Sequence, residues 1–174
     1  VERRNASYAD SDGSRFDPSD TMTGGHVAFD WRLAEGRSLY ASVSRGYKAG
    51  GFNLGPLVPA DRAKFGPEFL LSAEAGVKAR SDDGRIEGQL AAFHMRRTRQ
   101  QVSTSFQVDP GDPLSYIFIT DNAARGASYG LEGSLAWRPG DRLLLGGTVG
   151  LLRTKFIGYV LGDHSDTGFI PWSL

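Results

Sequence analysis

The chain has 174 residues, with 20 basic and 20 acidic side chains, 23 glycines and no cysteine. The balanced charge argues against nucleic-acid binding, which usually requires a basic excess. The lack of cysteine excludes disulfides, thiolate metal sites and thiol nucleophiles. No run of about 18 apolar residues occurs, so the sequence predicts no transmembrane helix.

The first 23 residues are polar and predict little regular structure. Asp10-Ser-Asp-Gly-Ser14 and Asp17-Pro-Ser-Asp20 are typical of turns. From Gly24 the pattern changes to strict alternation of apolar and polar residues, which is typical of a half-buried strand. Positions 24–34 are therefore predicted as a strand, whose apolar positions are Val27, Phe29, Trp31 and Leu33.

The next segment is Ser38-Leu-Tyr-Ala-Ser-Val-Ser-Arg-Gly-Tyr-Lys-Ala-Gly-Gly-Phe-Asn53. Small apolar residues alternate with hydroxyl-bearing ones in its first half, which predicts a strand over about 38–48. Its glycines then permit an irregular backbone. We expect a loop of about twenty residues to follow, with prolines that disfavour a continued strand.

Four further strands are predicted, over about 67–80, 85–107, 115–138 and 143–155. Ser81-Asp-Asp-Gly84 and Arg138-Pro-Gly-Asp-Arg142 form short turns between them. The strands at 85–107 and 115–138 are equally long, so they should pair as one long hairpin that turns at Asp109–Pro113. From Phe156 to Pro171-Trp-Ser-Leu174 the pattern predicts loop.

The connections alternate between short and long, as in outer-membrane barrels with short periplasmic turns and long external loops. A soluble β-sandwich also alternates along its strands. Tyr129 and Trp137 lie about 27 Å apart on one face, close to the height of a barrel's apolar band. We expect the following residues to share one lipid-facing side: Val27, Phe29, Trp31, Leu71, Ala73, Val77, Leu90, Leu131, Leu135 and Val149.

The segment over residues 40–53, Tyr-Ala-Ser-Val-Ser-Arg-Gly-Tyr-Lys-Ala-Gly-Gly-Phe-Asn, closely resembles a block in the β-barrels of TonB-dependent outer-membrane receptors. Later blocks resemble the same family in the same order: Pro67-Glu68 with Glu74-Ala-Gly-Val-Lys78, and Asn122-Ala-Ala with Gly130-Leu-Glu132. The resemblance covers roughly residues 24 to 155.

The resemblance implies an all-β fold, an antiparallel up-and-down meander of about six strands within a larger transmembrane β-barrel. Plugged transporters have about 22 strands, so residues 1–174 are expected to be a fragment. It implies a bacterial outer-membrane protein that contacts lipid and lipopolysaccharide and imports a scarce ligand, such as a ferric siderophore, by energised transport. The plug domain and the elements that engage the TonB complex are expected in missing regions upstream.

Two other classes of function stay open. One is a passive porin or structural outer-membrane barrel, which needs no plug. The other is a soluble ligand-binding β-domain, for example one that binds carbohydrate. A plug domain encoded upstream would distinguish the receptor from a porin, and dependence on detergent would exclude the soluble domain.

The sequence predicts no enzyme, cofactor or metal site. His26, His94 and His164 lie on separate segments without ligands at metal-binding spacing. No nucleophile elbow, phosphate loop or dinucleotide glycine pattern occurs. The run Arg96-Arg-Thr-Arg99 is better explained as a solvated or lipopolysaccharide-facing strand end than as a nucleic-acid patch.

Charged residues opposite the apolar positions are expected to face the barrel interior and to form structural ladders across strands: Asp30, Arg32, Glu74, Lys78, Arg85, Glu87, Glu132 and Arg138. The candidate ligand-contact residues lie where the second strand meets its loop: Arg45, Tyr47, Lys48 and Asn53. A structural role explains these four most simply, and contact with a ligand or an outer-leaflet phosphate is the alternative.

Overall fold

The structure is a computed structural model that describes residues 1–5, 7–9, 15–16, 19–161 and 164–166. The described residues form thirteen β-strands and one 3₁₀ turn, Ala60–Arg62. The strands are β1 Glu2–Asn5, β2 Tyr8–Ala9, β3 Arg15–Phe16, β4 Ser19–Met22, β5 Gly25–Ala34, β6 Arg37–Lys48, β7 Gly51–Phe52, β8 Lys64–Phe65, β9 Glu68–Arg80, β10 Ile86–Gln107, β11 Tyr116–Gly140, β12 Leu143–Leu161 and β13 His164–Asp166. No helix in the described ranges is long and apolar enough to cross a membrane.

One antiparallel sheet of seven strands dominates the fold, in the order β13-β12-β11-β10-β9-β6-β5. Each long strand pairs with the next long strand along the chain. The sheet is therefore an up-and-down meander, which confirms the predicted fold class. The small hairpins β1–β4, β2–β3 and β7–β8 lie outside this sheet.

Short turns join the strands at one end of the sheet, which we call the turn end, and long connections join them at the other, the loop end. At the turn end, Gly36 and Gly84 adopt φ of +69° and +66°, which side chains other than glycine rarely allow. The Asp83 carboxylate accepts hydrogen bonds from the Ser81 hydroxyl at 2.5 Å and the Arg85 amide at 3.0 Å. These bonds, first that from Ser81, lower the pKa of Asp83.

The predicted long hairpin is confirmed. β10 and β11 pair from Ile86 opposite Trp137 to Gln107 opposite Tyr116. Both strands exceed the 9 to 11 residues that a barrel strand needs to cross a bilayer. The hairpin continues roughly 40 Å beyond Tyr129 at the loop end, at 3.4 Å per residue.

The cross-strand registers define two faces, because residues directly opposite each other point to the same side. The ten residues predicted to share a side lie on one face: Val27, Phe29, Trp31, Leu71, Ala73, Val77, Leu90, Leu131, Leu135 and Val149. We call this the apolar face. It is uncovered, since Val27 is 74 % exposed and Leu151 is 62 % exposed.

The opposite, polar face carries the predicted strand charges: Asp30, Arg32, Glu74, Lys78, Glu87 and Glu132. Tyr40 connects two of them, because its hydroxyl donates to Glu74 at 2.8 Å and its ring lies 4.9 Å from the Lys78 ammonium. The Tyr40 ring covers Gly76, where an added Cβ would lie 2.5 Å from a ring carbon. The structure thus contains a cross-strand polar network of the predicted kind.

Two predictions about the ends of the chain were wrong. Within the first 23 residues, β1 pairs with β4 and β2 with β3, although residues 10–14 and 17–18 lie outside the described residues. These strands form by backbone pairing and not by burial of an apolar face, so they lack alternating hydrophobicity. Their one fully buried large side chain is Met22.

The sixth predicted strand continues beyond residue 155 to Leu161, and β13 follows it. The strand persists because its neighbour β11 continues, with Ala124 opposite Tyr159. Residues 156–161 are Phe-Ile-Gly-Tyr-Val-Leu, which favours strand on propensity alone. The predicted loop at 167–174 lies outside the described residues.

Candidate functional site at the loop end of the sheet

The connection between β6 and β9 folds back on itself before it meets the long hairpin. Its strands β7 and β8 pair, with Gly51 opposite Phe65. An added Cβ at Gly51 would lie 2.6 Å from the Phe65 ring, and one at Gly50 would lie 2.4 Å from the Phe65 carbonyl oxygen. The two consecutive glycines therefore permit the close approach that closes this loop.

Asn53 fastens the loop to β11. Its side-chain amide donates to the Thr120 carbonyl at 2.8 Å, and its side-chain oxygen accepts from the Thr120 N–H at 2.7 Å. The same amide nitrogen donates to the Arg62 carbonyl at 2.7 Å. Asn53 thus pairs with a backbone peptide group in the way that a neighbouring strand would.

Asn122 makes the reciprocal connection from β11 to the loop. Its oxygen accepts from the Gly66 N–H at 2.5 Å, and its amide donates to the Gly66 carbonyl at 2.9 Å and to the Arg99 carbonyl at 2.8 Å. An added Cβ at Gly66 would lie 2.1 Å from the Arg99 guanidinium. Glycine is therefore required at position 66 for this contact.

Gln101 provides a third connection, from β10. Its amide donates to the Ala49 carbonyl at 2.8 Å and to the Gly66 carbonyl at 3.1 Å. The register of β10 against β11 shifts on both sides of Gln100, and Arg99 adopts φ of +53°. These irregularities break the regular side-chain alternation of β10 where it meets the loop.

Two ion pairs reinforce these contacts. Arg62 in the loop lies 2.5 Å from the Asp121 carboxylate of β11. Arg97 lies 3.2 Å from the Glu68 carboxylate, which also accepts from the Gln101 N–H at 2.9 Å. We call Asn53, Gln101 and Asn122, together with these two ion pairs, the loop clamp. It holds the connection against strands that are far from it in sequence.

The structure separates the four predicted ligand-contact residues. Arg45 lies on the apolar face, with its guanidinium 5.0 Å from the Phe69 ring centroid. The Tyr47 hydroxyl donates to the Glu2 carboxylate, which raises the pKa of Tyr47. Asn53 belongs to the loop clamp. Lys48 is exposed and makes no ion pair with another described residue.

The sequence analysis missed Arg62, Gln101 and Asp121 as clamp residues. Asn122 was noted only as part of a family block. The available signal was a run of polar residues, Arg99-Gln-Gln101, inside a strand otherwise predicted as regular. Their partners are more than 30 residues away in the chain, so the sequence alone does not pair them.

The chemistry available at this end of the sheet is hydrogen bonding and ion pairing. No group of three or more metal-ligating side chains occurs within the described ranges. The loop clamp consists of amides, carboxylates and guanidinium groups that bind one another. Its arrangement suits a fixed platform at the end of a barrel.

The comparisons with known proteins agree with this fold. The family described as "TonB dependent receptor-like, beta-barrel" matches residues 2–169. The crystal structure of the ferric yersiniabactin uptake receptor FyuA from Yersinia pestis is similar, with a TM-score of 0.64 and 20 % sequence identity. The similarity covers 83 % of this chain and 20 % of that one, so the chain spans about a fifth of the receptor's length.

No curated protein matches the chain. The family match, in contrast, covers nearly its whole length. The antiparallel meander, its apolar face and its alternation of short turns with long connections are those of an outer-membrane barrel wall. The chain belongs to the TonB-dependent receptor β-barrel family, whose members are outer-membrane proteins of Gram-negative bacteria.

Proposed function

We propose that the chain forms part of the barrel wall of a receptor that imports a scarce ligand, such as a ferric siderophore, by energised transport. The observation that carries the proposal is the division of one sheet into an uncovered apolar face and a charged, hydroxyl-rich face. In a barrel the first contacts lipid and the second lines a wet interior. A soluble domain would need to cover the apolar face.

The class of ligand is proposed from the similar structure. FyuA is a ferric yersiniabactin uptake receptor, and it shares the fold of this segment. Energised import further requires a plug domain and contact with a TonB complex, which we assign to other parts of the intact receptor. The role proposed for this segment is transport and not catalysis.

The loop clamp supports a role at the barrel mouth. It fixes the connection between β6 and β9 beside the long hairpin, so an arriving ligand would meet a preformed surface. Lys48 stands at the base of this connection and is exposed. Of the four candidate contact residues, we therefore propose Lys48 for direct contact with an anionic ligand. Arg45, Tyr47 and Asn53 have protein partners.

Uptake by whole cells tests the proposal. A strain that lacks the gene for the intact receptor, with and without a plasmid copy, is supplied with radiolabelled ferric siderophores, beginning with ferric yersiniabactin. We expect uptake only in the complemented strain, and we expect a protonophore to abolish it. Uptake that depends on the receptor but continues with the protonophore would indicate a passive barrel and contradict energised transport.

A further inference from the structure

Cations on the apolar face concentrate at the loop end. In the register that joins β6, β9, β10, β11 and β12, the successive residues are Arg45, Leu71, Arg96, Ala127 and Lys155. A basic residue therefore occurs on every second strand. Neighbouring strands lie about 4.8 Å apart, so the successive cations are anchored roughly 10 Å from each other.

The adjacent row toward the turn end adds two more basic residues. Here His94, Tyr129 and Arg153 lie opposite one another on β10, β11 and β12. The His94 and Tyr129 rings stack with centroids 6.4 Å apart. We call Arg45, His94, Arg96, Arg153 and Lys155 the cationic row pair. It lies directly beyond the large apolar residues of the same face.

The cationic row pair has no acidic counterpart on its own face. Between the Ile86 row and the Arg96 row, every Asp and Glu of the six long strands lies on the polar face. Arg96, Arg153 and Lys155 are exposed and make no ion pair or side-chain hydrogen bond with any described residue. The only other basic residue on this part of the apolar face is Arg37, at the turn end.

An uncompensated cluster of this kind requires an anion from outside the chain. Arginine guanidinium groups match the geometry of phosphate oxygens, and lysine adds a point charge. The apolar residues next to the cluster would contact acyl chains, and Tyr129 marks the level where an aromatic girdle meets headgroups. Ala127 lies between Arg96 and Lys155 and leaves space between them.

We propose that the cationic row pair binds the phosphate groups of phosphorylated lipids in the outer leaflet. This inference rests on the proposed placement of the chain in an outer-membrane barrel, and it is independent of the imported ligand. It also revises the role of the run Arg96-Arg-Thr-Arg99. Only Arg96 belongs to the lipid site, because Arg97 pairs with Glu68 and Arg99 contacts Gly66.

The test uses the intact receptor in lipid nanodiscs, with bis-phosphorylated lipid A as the probe and native mass spectrometry as the readout. The variant carries Arg96→Gln, Arg153→Gln and Lys155→Gln. Each lost charge should weaken binding about fivefold, so the triple variant should bind on the order of 100-fold more weakly. Arg37→Gln, on the same face at the turn end, is the matched control and should bind like wild type.

Dephosphorylated lipid A should bind wild type and the triple variant equally weakly. Equal binding of phosphorylated and dephosphorylated lipid A by wild type would overturn the proposal. So would displacement of the lipid by inorganic phosphate alone, because the site would then serve a soluble anion. A triple variant that enters nanodiscs normally but keeps wild-type affinity removes the lipid site without affecting the proposed transport function.

Discussion

Asn53 and Asn122 use their side-chain amides in place of backbone peptide groups. Each offers both a donor and an acceptor to a single partner residue, Thr120 or Gly66. This reciprocity explains why asparagine suits both positions. Aspartate would retain the acceptor and lose the donor, and alanine would lose both.

We predict that Asn53→Ala loosens the connection between β6 and β9 without unfolding the sheet. A partly buried Thr120 N–H loses its acceptor, and such a loss costs about 1 to 3 kcal/mol. In the intact receptor, hydrogen exchange at Thr120 should therefore accelerate by one to two orders of magnitude.

Asn53→Asp is the graded control, since it keeps an acceptor for the Thr120 N–H and should show a smaller acceleration. Exchange in the centre of β9 reports on the sheet and should not change in either variant. If Thr120 in Asn53→Ala exchanges at the wild-type rate, Asn53 does not hold the loop.

At the scale of the elements, the register of the sheet assigns neighbouring residues to opposite environments. Leu135 lies on the apolar face opposite Gly88, and Ser134 lies on the polar face opposite Gln89. The two residues are adjacent in one strand. A charge introduced at each therefore compares lipid with the barrel interior at nearly the same depth.

We predict that Leu135→Arg destabilises the intact receptor by about 2 to 4 kcal/mol if the site lies near the bilayer midplane. Ser134→Arg places the same side chain in the wet interior and should cost much less. Reversible unfolding of both variants in phospholipid vesicles measures the difference. A loss below about 0.5 kcal/mol for Leu135→Arg is the size of an ordinary surface substitution and would contradict the assigned orientation.

Sequence patterns predicted the long strands because alternation reports the face that each side chain occupies. The short turns followed from local glycine and aspartate chemistry, as at Gly84. The β1–β4 pair lacks alternating hydrophobicity, and its strands were missed for that reason.

The candidate site was predicted less well than the strands. Asn53 was identified near the correct loop, but its partner Thr120 lies 67 residues away. The cationic row pair combines residues of β6, β10 and β12, and it exists only once the register is fixed. Contacts of this kind depend on which strands become neighbours, and that information is not local.

At the scale of the whole molecule, the sheet is a single layer with few buried side chains. Buried hydrophobic residues among those described are Met22, Ala63, Ile119 and Ala124. The large apolar side chains are instead exposed along one face, as Phe29 at 63 % and Val149 at 61 % illustrate. Contiguous apolar patches of this size mark surfaces that are covered in the functional state.

The sheet also has two strand edges, at β5 and at the β12–β13 side. Unpaired edges recruit other strands. In an intact barrel those edges would pair with neighbouring strands, and lipid would cover the apolar face. We therefore predict that residues 1–174, expressed alone without detergent, aggregate and bind no siderophore.

Sizing chromatography with light scattering measures this outcome, and the same chain in detergent is the control. The strands have no proline or lysine in the middle of their apolar face that would discourage association, so large species are expected in plain buffer. A sharp peak near 18.8 kDa with cooperative thermal unfolding would instead require a self-sufficient core. Such a core would favour a soluble β-domain over a segment of a barrel wall.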